Sequence, residues 1–420
     1  MQHIELGFGK QGVALDIDEK NLQTVLMPNE VTVTLRGTDE VKRGLDEPIG
    51  KPKLSSYDLR DKKIVITTSD ITRPVPSYKI IPSILTELTA AGASDKNIIV
   101  VFALGSHRSH TEEEKRHLVG DDVYDRVSCV DANAANCVHL GKTMRGTPVD
   151  IFDVVANADF RICVGNIEYH YFAGYSGGMK AIMPGVSTKE AIRCNHSHMV
   201  EAGSYAGHLA GNPVREDIEE VAKFCPVDYI VNVVLDAHKE IICCVAGDVV
   251  EAHRAGCRFL DRLYKCHIDQ PADIVIVSAG GFPKDMNMYQ AQKALDNAKH
   301  AVREGGIIIW AAACTEGLGQ PVFEKWMTGH EKSSDMIPHI RSEFVLGGHK
   351  AAAIALVMEK AKIFLVSDLD PDFVKSLFME PQTSVASALE EAYRILGRDA
   401  SVIVMPYGGS TLPTTESTEN

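Results

Sequence analysis

The residue types best suited to chemistry in this 420-residue chain gather in a few short stretches. Asp70 and Arg73 stand three apart in DITRP, where Pro74 favours a turn, and His107 and His110 belong to GSHRSH. The densest stretch, EYHYFAGYSGGMKAIMPGVSTKEAIRCNHSH, runs from Glu168 to His198 and carries His170, Gly177, Gly178, Lys180, His196 and His198. Two histidines facing one substrate can alternate as acid and base, the symmetry that inversion at a stereocentre demands. His107 and His170 suit that work because each follows the end of an apolar run, although a single histidine is more often a hydrogen-bonded structural residue. Glycines beside Lys180 let backbone approach a ligand closely. Ala181 follows that lysine, so this is not a phosphate-binding P-loop, and spacing alone leaves a structural, an anion-binding and a catalytic lysine all open. His196 and His198 are two apart, so on a helix only one of them easily faces a cleft, and spacing does not say which. Arg73 offers a planar fork for a carboxylate or phosphate, against the plainer reading of a helix-capping Asp70 beside a surface arginine. Gln290 and Lys293, one helical turn apart, fit an exposed polar face and a second carboxylate clamp equally well.

Positioning such residues falls to an α/β scaffold. KIVITT (63–68), NIIVVFAL (97–104) and FRICVG (160–165) are short, β-branched apolar runs, the pattern of buried parallel strands. Each passes directly into a polar cluster, and ligands of doubly wound sheets sit at the carboxyl ends of strands. Helices are expected from Ser77 to about Ala91, closed by Gly92, and from TEEEKRHLV. The rhythm resumes with DIVIVSAGG (273–281), GGIIIWAAA (305–313), KIFLVS (362–367) and SVIVMP (401–406). These runs predict two α/β domains, each a mainly parallel sheet flanked by helices, with an active site in the inter-domain cleft. The N-terminal domain is expected over 1–270 and the C-terminal over 272–420, with a boundary near Cys266–Pro271 and the last residues packing back on the first domain. Val31–Leu35 (VTVTL) reads as a further strand-like run, and the polar tail STLPTTESTEN reads as frayed.

Composition narrows the function classes. A formal charge of -14 argues against a nucleic-acid partner, though a local basic cluster can still hold an anionic substrate. No signal peptide and no bilayer-length apolar run are apparent, which predicts a cytoplasmic protein without a membrane partner. The ten cysteines include no CxxC pair and read as reduced structural thiols. No strand runs into GxGxxG, which disfavours a nicotinamide-dependent dehydrogenase.

Taken together, DITRP (70–74), GSHRSH (105–110), the EYHYFAGYSGGMK…PG…NH block (168–196), YQAQKAL (289–295) and GGHK (347–350) closely resemble the motifs of the lactate racemase family, in order and over about two-thirds of the chain. The resemblance implies a racemase or epimerase of a small 2-hydroxy acid, lactate or a larger relative. It also implies a nickel-pincer nucleotide, a pyridinium dithiocarboxylic acid mononucleotide carrying Ni(II), covalently linked to Lys180. His196 is then the nickel ligand, in a near-square-planar setting that suits Ni(II). His107 and His170 are the acid/base pair, and Asp70, Arg73, Gly177 and Gly178 bind cofactor. Arg73, Gln290 and Lys293 bind substrate. Proton-coupled hydride transfer through a 2-keto acid is the implied mechanism, with cofactor-biosynthesis proteins and a homodimeric mate as expected partners. Two alternatives stand beside it. A nickel-cofactor carrier needs Lys180 and His196 but no acid/base pair, and a conventional divalent-metal lyase or hydrolase gathers His107, His170 and His196 on one ion.

Overall fold

A computed structural model describes residues 1–236 and 238–415. The chain divides into two compact units, Val31–Asp261 and a composite of Met1–Glu30 with Arg262–Asn420.

The Val31–Asp261 unit is built on a six-stranded sheet in the order Ile241–Gly247, Tyr229–Leu235, Phe160–Asn166, Ile64–Ser69, Ile98–Ala103, Ser128–Asp131. All neighbours run parallel except the first pair, which is antiparallel. Alternation along the strands sends Ile64, Ile66, Ile98, Val100, Phe102, Ile162 and Val164 into one core, together with Ile80, Ile81, Ile84, Leu85 and Leu88 of the helix Ser77–Ala90. Each such side chain, fully buried, contributes about 1.5–3 kcal/mol. Ile64–Ser69 comes first in the sheet; the chain then builds outward on one side through Ile98–Ala103 and Ser128–Asp131, and returns to the other side with Phe160–Asn166. The strand order thus reverses between Ile64–Ser69 and Phe160–Asn166, the position at which open α/β sheets leave a crevice beyond their carboxyl ends. The expected helix at TEEEKRHLV is Glu112–Val119, started by a capping box between Thr111 and Glu114.

The composite unit holds an all-parallel sheet ordered Glu380–Gln382, Ala361–Val366, Val302–Ala311, Ala272–Ser278, Val402–Met405, Leu22–Val25. The four apolar runs expected after residue 272 are its four central strands. Its last strand differs from the sequence reading, which placed residues 1–60 with the first domain. Leu22–Val25 pairs with Val402–Met405, and the Asn21 amide donates to the carbonyls of Arg398 and Ala400. A four-residue edge strand carries little periodicity, and its partner lies almost four hundred residues away in the sequence. Val31–Leu35 forms no strand; it alternates partly buried with exposed residues and has no neighbouring strand to pair with among the described residues. Of the polar tail, Leu412–Thr414 pairs with Lys265–His267 inside the same unit, and 416–420 lie outside the described residues.

None of the ten cysteines forms a disulfide, and burial pushes thiols such as Cys314 up to about 12, as inert core thiols require. Among the described residues no helix is long and apolar enough to cross a membrane.

Candidate active site

Three adjacent parallel strands deliver the candidate residues of the Val31–Asp261 unit from their carboxyl ends. Ile64–Ser69 leads into Asp70 and Arg73, Ile98–Ala103 into His107, and Phe160–Asn166 into His170. The first two lock together. His107 donates from Nδ1 to Asp70 Oδ2 at 2.5 Å, and the Thr72 hydroxyl donates to Asp70 Oδ1 at 2.8 Å. Burial works to raise the Asp70 carboxyl, but the hydrogen bonds from His107 and Thr72 and the charges of His107 and Arg73 outweigh it, so Asp70 is held below the usual carboxylate range. A carboxylate on Nδ1 leaves the neutral His107 ring with its lone pair on Nε2. The second histidine of GSHRSH has another task. His110 is buried, donates from Nδ1 to Asp131 Oδ1 at 2.6 Å, and accepts the Ile71 backbone N–H on Nε2 at 3.1 Å. Both its nitrogens are committed to holding the Asp70 turn in place.

His170 belongs to a two-residue strand paired with Gly174–Tyr175, and its Nδ1 accepts the Ala173 N–H at 3.3 Å. Its basicity is pushed well below the ordinary histidine range, by burial first and then by Lys180, His196, Arg73 and Arg215. Lys180, His196, Arg73 and Arg215, spread over about 140 positions, thus lie near enough to lower the basicity of this one ring. Lys180 sits in the single 3-10 turn Gly178–Ala181, and its amine is likewise pushed well below the ordinary lysine range by burial, then by Arg215 and Arg73. Such an amine favours its neutral, nucleophilic form. Arg73 is exposed and pairs with no acidic side chain among the described residues.

The glycines before Lys180 earn their place inside the protein. Gly177 has φ 75°, and a Cβ there would meet Asn232 Oδ1 at 2.8 Å and Ile167 at 3.0 Å. Asn232 Oδ1 accepts the Gly178 N–H at 2.8 Å. The space that a side chain would take is filled by protein, and the tight turn it permits carries Lys180.

His196 lies on the helix Lys189–Ser197, buried, with Nδ1 2.9 Å from Asn195 Oδ1. Phe172 presents its ring edge-on both to His170 at 4.4 Å and to His196 at 4.9 Å between centroids. Among the described residues His198 makes no ring contact of this kind; its Nδ1 is 2.6 Å from Glu201 Oε1. Of the two histidines that spacing left undecided, His196 is therefore the one set beside His170. Gln290 and Lys293 belong to the composite unit, where both are exposed on the first turns of the helix Met288–Ala298.

Several participants were not singled out from sequence. Asn232 interrupts the apolar strand YIVNVVL at its buried centre, a polar residue where none is expected. Asp217 lies on the apolar stripe formed by Val214, Ile218 and Val221. Arg215, fully buried, donates from Nε to the Ala173 carbonyl at 3.3 Å and from Nη2 to the Tyr175 carbonyl, stapling the loop that carries His170. Nothing in its local sequence separates it from a surface arginine.

Among the described residues no group of three or more His, Cys, Asp or Glu side chains is arranged to hold a metal ion.

The scaffold agrees with known proteins. Residues 8–207 match the family model of the lactate racemase N-terminal domain, and 268–412 that of the lactate racemase C-terminal domain. A lactate racemase from Thermoanaerobacterium thermosaccharolyticum is 34% identical over 424 residues, covering 98% of this chain and 99% of that protein. One from Lactiplantibacillus plantarum is 34% identical over 421 residues, covering 97% and 99%. The solved lactate racemase apoprotein of T. thermosaccharolyticum superposes with a TM-score of 0.87 at 32% identity, over 98% of this chain and 100% of that one. A Thermotoga maritima protein, 17% identical with a TM-score of 0.60 over 91% of this chain and 100% of its own, shares the fold alone. The fold and these relatives define a two-domain α/β isomerase. The chain belongs to the lactate racemase family.

Proposed function

We propose that this chain racemises lactate, with a nickel-pincer nucleotide tethered to Lys180 and ligated by His196. The observation that carries the reading is the packing of His170 and His196 on one ring, Phe172, with Lys180 and Arg73 near enough to lower the basicity of His170, together with a His107 ring whose proton is fixed by a buried carboxylate. The donor set fits such a cofactor. A buried, readily neutral lysine is suited to a covalent tether, and the buried His196 imidazole is a donor of the type that binds nickel. When bound, the cofactor supplies the hydride acceptor and donor that interconvert a 2-hydroxy acid and its planar 2-keto acid.

The chain's own residues supply orientation and proton handling. His107 Nε2 takes the substrate hydroxyl proton, and the adjacent Asp70 carboxylate stabilises the imidazolium that results. Asp70 has both oxygens committed to His107 and Thr72, so we place it behind His107, as a positioning residue. His170 serves the opposite face of the substrate. Arg73, exposed and without an acidic partner, binds the substrate carboxylate through its fork. Gly177 and Gly178 serve the cofactor by shaping the turn that presents the Lys180 amine. A carrier of the cofactor has no use for an Asp70–His107 pair, which weighs against that alternative.

The test is nickel content with peptide mass mapping around Lys180, on protein from cells that also make the cofactor, followed by chiral assay of each lactate enantiomer. One nickel per chain, an adduct on Lys180 and interconversion of both enantiomers are expected. Unmodified Lys180 without nickel, under conditions that load a known family member, refutes the cofactor assignment.

A further inference from the structure

His196 is preceded on its helix by a side chain, Asn195, whose orientation is dictated from outside. The Asn195 amide lies fully buried, and its Nδ2 reaches the Val214 carbonyl at 3.1 Å and Asp217 Oδ2 at 2.7 Å. A backbone carbonyl only accepts hydrogen bonds, so the NH2 group must face Val214 and the amide oxygen must face the other way. That oxygen lies 2.9 Å from His196 Nδ1. An amide oxygen also only accepts, so Nδ1 must carry the ring proton, and the neutral imidazole bears its lone pair on Nε2. Asp217 is itself fixed: the hydroxyls of Thr143 and Thr147 donate to its two oxygens at 2.5 and 2.7 Å, and Asp217, Thr143 and Thr147 are all buried. Flipping the Asn195 amide would set its oxygen against two acceptors.

We propose that Asn195, clamped by the Val214 carbonyl and Asp217, is a positioning residue that fixes His196 as the Nδ1–H tautomer and makes Nε2 the nitrogen offered to nickel. This rests on the reading of His196 as the nickel ligand. Outer partners of this kind set the tautomer and direction of metal-binding histidines, and their loss typically costs about 10- to 100-fold in metal affinity. Here the clamp belongs to the protein before any metal arrives, so it can be measured without one.

The first measurement is the tautomer of His196 in the full-length, cofactor-free protein, by long-range 1H–15N correlation on 15N-histidine-labelled chain at a pH where the ring is neutral. The resonance is assigned by its loss in His196→Gln. Wild type is expected to show Nδ1–H, and Asn195→Leu to lose that preference. Asp217→Asn, whose side-chain oxygen can still accept from Asn195, is expected to keep it. On cofactor-loaded protein, Asn195→Leu is expected to release nickel to a chelator about 10- to 100-fold faster than wild type. A wild-type His196 found as Nε2–H overturns the proposal outright, without any variant having to fold. So does an Asn195→Leu protein that keeps both the Nδ1–H signature and the wild-type release rate. If instead His196→Gln holds nickel as well as wild type while the Nδ1–H signature depends on Asn195, the clamp stands and the ligand assignment of the proposed function fails.

Discussion

Replacing Asp70 with asparagine removes a charge and almost no volume, so its consequences fall on His107 rather than on the fold. The Asp70 side chain is 4% exposed, and its 2.5 Å contact with His107 Nδ1 is therefore little screened by solvent. A hydrogen bond to a charged partner contributes about 1.5–3 kcal/mol. On the proposed reading that stabilisation is realised when His107 becomes an imidazolium, and at 1.36 kcal/mol per decade its loss lowers kcat/KM by about 13- to 160-fold. The two enantiomers of lactate are isoenergetic, so their equilibrium constant is one and the fall must be the same from either side. The assay is initial-rate chiral chromatography from each pure enantiomer, with nickel per chain measured on the same sample. Nickel content is expected to match wild type, because Asp70 acts through His107. A fall of less than about threefold, or one that tracks lost nickel, refutes the placing of Asp70 behind a catalytic base.

Lys180→Ala is expected to abolish the cofactor adduct and retained nickel while leaving the fold intact; intact-mass and metal analysis check it, and a variant with full nickel and turnover excludes the tether. Gly177→Ala forces a Cβ to within 2.8 Å of Asn232 Oδ1 at φ 75°, and is expected to destabilise the Val31–Asp261 unit by about 1–3 kcal/mol; an unchanged melting temperature would contradict that packing. His253, buried and 2.8 Å through Nε2 from the Ser176 carbonyl, is held neutral by burial first and by Arg215. Its folded-state basicity is lowered, so the unfolded chain binds the extra proton and stability falls as pH drops below about 6.5, by up to ~1.4 kcal/mol per pH unit. Urea unfolding at pH 7.5 and 5.5 should show a smaller loss in His253→Gln than in wild type, and equal losses would remove His253 from the account.

Most of the sheet architecture was legible because its strands are uninterrupted β-branched runs, long enough to stand out and closed by polar clusters. The same feature exposed Asp70, His107 and His170, since a strand end in an α/β sheet is also a ligand position. What was not legible depends on three-dimensional partners. Leu22–Val25 is a strand only because Val402–Met405 offers it an edge. His107 and His110 look equivalent in GSHRSH, yet Asp131 and the Ile71 N–H occupy both nitrogens of one while Asp70 leaves Nε2 of the other as its lone-pair nitrogen. Gly177 and Gly178 read as room for a ligand, and Asn232, Ile167 and His253 occupy that room. Arg215 sits on a helix whose sequence, PVREDIEE, offers nothing to mark it as buried, and of the four acidic residues there only the place of Asp217 on the stripe of Val214, Ile218 and Val221 sets it apart.

The proton on His170 is held far less firmly than the one on His107, and this difference has a kinetic consequence. The Nδ1 of His170 accepts the Ala173 N–H at 3.3 Å, so its neutral ring carries the proton on Nε2. The bond is long and joins two neutral groups, worth about 0.5–1.5 kcal/mol. As a donor, a neutral ring with its proton on Nε2 would be left as an imidazolate, and as a base it has no lone pair there. Whichever enantiomer enters, His170 works only with Nδ1 protonated, as an imidazolium donor or as an Nδ1–H base, and its ring must first give up the Ala173 N–H. The cost falls alike on both directions, about 2- to 13-fold in rate from the strength of the bond, and leaves kcat/KM equal for the two enantiomers as thermodynamics requires. Long-range 1H–15N correlation on His170 of the cofactor-free protein measures the resting tautomer directly. A ring found as Nδ1–H would mean that the Ala173 N–H imposes no such cost.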